Sequence, residues 1–108
     1  MDTVTKTSFD KVLSSANTPI DVSNIFHSLG GDISLDLCFQ LFKKWEELVI
    51  IEEKNVKTLD NALSLYYSTT NFLNCLKLFL SFTQFGSDVS KIMRRVQEIH
   101  QRIDLSRF

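Results

Sequence analysis

The residue types able to do chemistry are two histidines, two cysteines and four clustered glutamates. His27 and His100 lie on different expected helices. Neither belongs to an HExxH or HxxxH pair, the spacing that would present two metal ligands on one helical face. Cys38 and Cys75, 37 positions apart, fit neither a CxxC redox pair nor a zinc pattern. Both fall in strongly apolar helical stretches, where a thiol is expected to be a small buried hydrophobe, protonated and inert. Glu46, Glu47, Glu52 and Glu53 form an acidic cluster, but Lys43, Lys44, Lys54 and Lys57 bracket it at spacings suited to helical ion pairs. A solvated face is the expectation there. Gly30-Gly31 lacks the third glycine and the lysine of a phosphate-binding loop. No nucleophile with its base and no paired carboxylates stand out. The expectation is a non-enzyme with no catalytic residues, no metal and no cofactor.

Basic residues are unevenly placed. Residues 1–36 carry −3, residues 37–60 carry −1 and residues 61–108 carry +3, for a net −1. The basic end is a candidate contact face of Lys91, Arg94, Arg95 and Arg102, diluted by Asp88, Glu98 and Asp104. So balanced a chain has no field to hold it on nucleic acid or on an anionic membrane.

These residues must be positioned by helices. With three glycines and one proline in 108 residues, the chain has few breakers, and they divide it cleanly. A short first helix carries Phe9, Val12, Leu13 and Ala16, with Thr7 or Ser8 as its cap. Thr18-Pro19-Ile20-Asp21 is the strongest start signal: a hydroxyl cap, a proline at the first helical position, and a carboxylate three residues after the cap. Val22, Ile25, Phe26 and Leu29 form that second helix's face, and Gly30-Gly31 supplies left-handed residues to end it.

From Asp32 to Phe85 there are 54 residues without glycine or proline. Cys38, Phe42, Trp45, Val49, Glu52, Val56, Leu59, Leu63, Tyr66, Thr70 and Leu73 alternate in steps of four and three, as coiled-coil core positions do. One helix of that length would run about 80 Å at 1.5 Å per residue, too long for a domain of this size. A break is therefore expected between Lys54 and Thr58, where polarity rises and Thr58 can cap a new helix. The third helix (34–54) and fourth (58–85) would then form a central antiparallel hairpin. Gly86 is read as a stop, with Ser87 and Asp88 capping a fifth helix whose apolar stripe is Val89, Ile92, Met93, Val96, Ile99 and Ile103.

The fold class is thus all-α, a small bundle of about five helices in one domain over 1–108, with 1–6 and 105–108 loose. No run approaches the roughly 20 apolar residues of a transmembrane span. The N-terminus lacks the basic and apolar regions of a secretory signal, so an intracellular setting, cytoplasmic or nuclear, is expected.

Function is read from surplus apolar surface. Phe72 to Phe85 contains nine apolar side chains in fourteen residues, four of them phenylalanine, pointing to all sides of a helix. Phe72, Leu76, Phe79, Phe82 and Phe85 are accordingly candidate partner-binding residues. They suit a non-catalytic protein–protein interaction module, a small subunit or adaptor forming a homodimer or a hetero-complex. One alternative is a winged-helix nucleic-acid binder, with Leu48 to Ile51 leading into a strand. Asp32 and Asp36 on its recognition helix, and the missing second wing strand, stand against it. Another is a helical pocket for an apolar ligand such as a lipid chain.

Overall fold

The computed structural model describes residues 6–107. They form α1 (Lys6–Ser14), α2 (Pro19–Leu29), α3 (Leu35–Lys54), α4 (Leu59–Leu80), α5 (Gly86–Arg102) and a closing 3-10 turn, Leu105–Arg107. No strand occurs among the described residues, so the all-α bundle stands. Leu48 to Ile51, the proposed lead into a wing, is helical throughout.

Local chemistry sets most boundaries. At α2 the Asp21 N–H donates to Thr18 Oγ1 (3.3 Å) and the Thr18 N–H donates back to Asp21 Oδ2 (3.1 Å), satisfying donors that the helix itself leaves unpaired. Ser34 caps α3 through the Leu37 N–H, and Thr58 caps α4 through the Asn61 N–H. The expected break between Lys54 and Thr58 is present. Thr7 and Ser8, expected as caps, lie inside α1, whose N-terminal flank falls outside the described residues. Residues 105–107 form the closing 3-10 turn. Asp104 Oδ1 accepts from the N–H and hydroxyl of Ser106, which closes that turn.

Two glycine expectations are corrected. Only Gly30 has positive φ (+78°). Gly31 serves by size instead: a Cβ there would come within 2.7 Å of Leu78 Cγ and 2.8 Å of the Phe82 ring. Gly86 opens α5 instead of ending α4, which stops at Leu80. The intervening turn is held by the Phe82 N–H on the Phe79 carbonyl (2.9 Å) and the Phe85 N–H on Thr83 Oγ1 (3.1 Å). Asp88 in the first turn of α5 carries negative charge where the helix dipole favours it.

α4 is the central element, packing most closely on α2 and α5. Ser23 Oγ donates to the Ser68 carbonyl at 2.9 Å, and Gly31 meets Leu78, so α2 and α4 run in the same direction. Both crossing points use small residues, which lets the backbones approach. α3 and α4 are consecutive, but an aromatic layer holds their backbones apart. Trp45 stacks on Phe72 at 4.8 Å between ring centroids, and Phe72 meets Phe26 edge-on at 5.3 Å. The core continues through Leu41, Val49, Leu76, Phe79 and the α5 stripe of Val89, Ile92, Val96 and Ile99.

The heptad seam does not survive the break as one stripe. On α3 it is buried at Cys38, Trp45 and Val49, whereas on α4 Leu59 is exposed and Leu63, Tyr66, Thr70 and Leu73 are half-buried. The buried α4 face is Ala62, Leu65, Ser68, Thr69, Phe72, Cys75, Leu76 and Phe79. The turn at 55–58 resets the helical phase, so the continuous repeat in the sequence makes no coiled coil within the chain.

Candidate interaction surfaces

The five apolar candidates divide. Phe72, Leu76 and Phe79 are buried in the chain's own core and leave no surface to a partner. Their positions fall on the α4 face that meets α2, α3 and α5. Phe82 and Phe85 are 60% and 45% exposed, because α4 has ended before them and the turn points them outward. Leu78 (49%) and Leu80 (36%) extend the same elbow. Leu78 and Phe82 both cover Gly31, and Leu80 reaches Gly86. No acidic or basic residue lies between Leu78 and Phe85 in the chain. Leu78 and Leu80 belong to the same apolar run without being among the five candidates, and their exposure depends on where α4 stops.

The basic face is partly consumed within the fold. Arg95 Nε donates to Glu46 Oε2 at 2.6 Å, and Arg102 contacts Glu53 at 2.8 Å. The hydrogen bond to Glu46 holds the Arg95 guanidinium above its ordinary pKa, against the opposing effect of burial. Both pairs span 49 residues, so α3 and α5 run parallel in a fixed register. Glu46 and Glu53 therefore pair across to α5; among the described residues neither pairs with the lysines of its own helix. For Glu46 and Glu53 these contacts replace the expected solvated face, whereas Glu47 is exposed as expected. Only Lys91 and Arg94 of the four basic candidates are without an ion-pair partner among the described residues.

The cysteines are free and buried. Burial pushes the Cys38 thiol up to about 12 and raises that of Cys75, so both are protonated and poor nucleophiles at neutral pH. His100 packs on Tyr66 (ring centroids 4.5 Å), with Nε2 3.4 Å from Thr70 Oγ1. Among the described residues no group of three or more His, Cys, Asp or Glu side chains could hold a metal ion. No described helix is long and apolar enough to cross a membrane.

A cleft of about 380 Å³ opens between α2 and α4, walled by Asn24 and His27 on one side and Asn71 and Asn74 on the other. Phe26 and Cys75 are the buried apolar residues that line it. The spacing of three on each helix is visible in the sequence, but the packing that brings the two pairs to one cleft is not.

Compared with known proteins, the chain matches no family model, no curated protein and no solved structure.

Proposed function

We propose that this chain is a non-catalytic protein–protein interaction module that associates with a second copy of itself through the α4–α5 elbow. The observation that carries the reading is the exposure of Phe82 and Phe85 beside Leu78 and Leu80, four exposed apolar side chains within eight residues, whereas Val12, Phe39, Ile50, Ile51, Leu59 and Tyr67 are exposed singly or as one pair elsewhere. Exposed aromatic and aliphatic side chains in one short segment gain by leaving water against a matching surface. Self-pairing is favoured because the elbow carries no charge between Leu78 and Phe85, and the chain's net −1 supplies little repulsion between copies. An isologous contact needs only that one patch tolerate itself.

Size-exclusion chromatography with light scattering, at two concentrations and at low and high salt, tests this. The expected result is a concentration-dependent dimer insensitive to salt, converted to a folded monomer by Phe82→Ser with Phe85→Ser. A folded wild-type monomer at both concentrations overturns self-association and points to an unlike partner chain.

A further inference from the structure

We infer that the cleft between α2 and α4 is a second binding site, one that takes a short, uncharged stretch of extended peptide by its main-chain amides. Asn24, His27, Asn71 and Asn74 are all exposed at its walls. Among the described residues not one of these side chains has a hydrogen-bond partner. Asn55 and Asn61, by contrast, use their side chains at helix ends: Asn55 Nδ2 donates to the Ile51 carbonyl at 2.9 Å and Asn61 Oδ1 accepts from Thr58 Oγ1 at 3.0 Å. The wall amides are not so used.

Their placement follows from the packing of the two helices. The Ser23–Ser68 bond and the approach of Leu78 to Gly31 fix α2 and α4 as parallel, with residues level at separations of 45 and 47. Along this stretch Asn24 and His27 of α2 and Asn71 and Asn74 of α4 line the same cleft. Each wall repeats its polar residue every three positions, about 4.5 Å along a helix axis. Two rows of polar groups thus face one groove.

The chemistry of the lining selects the ligand. A carboxamide offers one acceptor and two donors, so it can meet both the C=O and the N–H of a peptide unit. No Asp, Glu, Lys or Arg lines the cleft, so nothing there compensates a charged ligand for losing water. Leu78, exposed at the cleft and backed by buried Phe26 and Cys75, supplies an apolar lining that suits one aliphatic side chain between the amide contacts. The volume is within the range of about 300–1,000 Å³ usual for ligand sites. The cleft shares Leu78 with the elbow, but neither Phe82 nor Phe85 lines it, so substitution of those two rings tests the elbow without touching the cleft.

The test is titration of the isotopically labelled chain with the acetylated and amidated tripeptide Ala-Leu-Ala, followed by NMR. Saturable shifts are expected in the side-chain amides of Asn24, Asn71 and Asn74 and in the Cys75 backbone, equal at low and high salt. Asn71→Ala with Asn74→Ala, both at exposed positions, should fold normally and bind about tenfold more weakly, as should wild type with the backbone N-methylated peptide. Absence of saturable shifts at millimolar peptide overturns the inference. So does equal binding by the double variant or by the N-methylated peptide. An unchanged result in Phe82→Ser with Phe85→Ser separates this site from the elbow.

Discussion

Arg95 and Glu46, 49 residues apart, meet at 2.6 Å, and Arg102 repeats the contact on Glu53 seven positions further along both helices. The pairs fix how α5 lies against α3, although neither helix follows the other in the chain. Their energy is modest, because the Arg95 and Glu46 side chains are 38% and 28% exposed and water screens them. A double-mutant cycle with Arg95→Met and Glu46→Gln should give a coupling of about 0.5–1 kcal/mol, smaller in high salt. Zero coupling by chemical denaturation would mean that the apolar stripe alone holds α5 in place.

The adjacent glycines should fail differently. At Gly30, φ is +78° and ψ −168°, a conformation costly to any residue with a Cβ, while nothing lies within 4 Å of the added atom. Gly30→Ala should therefore cost about 1–3 kcal/mol through backbone strain alone. At Gly31 the backbone is ordinary but the space is taken by Leu78 and Phe82. Because both neighbours are exposed and can swing aside, Gly31→Ala should cost about 1 kcal/mol, at the low end of overpacking, and should alter elbow-mediated association. Denaturation together with light scattering distinguishes the two. A larger loss of stability at Gly31 than at Gly30 would contradict this account.

Cys38 makes stability depend on alkaline pH. Its ordinary value is 9.0 and burial moves it to about 12 in the folded chain. Below pH 9 the thiol is protonated in both states and its contribution to stability is fully present. Above pH 9 the unfolded chain ionises first, and stability falls until the folded thiol also titrates near 12. The slope attributable to this residue approaches about 1.4 kcal/mol per pH unit. Cys38→Ala should flatten the decline between pH 9 and 11 even though it lowers stability at pH 7 by opening a cavity. An unchanged slope would show that Cys38 ionises readily in the folded chain.

The parts of this fold legible in the sequence are those set by near neighbours. Thr18, Pro19 and Asp21 act within one turn, so the capping box is read directly from their spacing. The end of α4 is different, because Gly86 and Ser87-Asp88 support a helix stop at Gly86 as well as a start there. The structure ends α4 at Leu80, and those few residues decide that Phe82 is outside. The ion pairs to Glu46 and Glu53 and the meeting of Asn24 and Asn71 around one cleft depend on how separate helices pack, which no local spacing encodes. The heptad run misleads for the opposite reason. Its period is real on each helix, but the turn at 55–58 rotates the second half out of phase with the first.

Phe72 and Phe82, ten positions apart in one apolar segment, should therefore give opposite results. Phe72 is wholly buried between Phe26 and Trp45, so Phe72→Ala removes a ring from two aromatic contacts and leaves a cavity. It should cost about 3–5 kcal/mol. For a chain of this size that is a large fraction of total stability, so far-ultraviolet circular dichroism should show a much lower melting temperature. Phe82 is 60% exposed and loses less surface contact when truncated, chiefly that with Gly31. Phe82→Ala should cost under about 1 kcal/mol while weakening association. If Phe82→Ala instead melts the chain as severely as Phe72→Ala, the elbow is a structural plug for the Gly31 turn and not a contact surface.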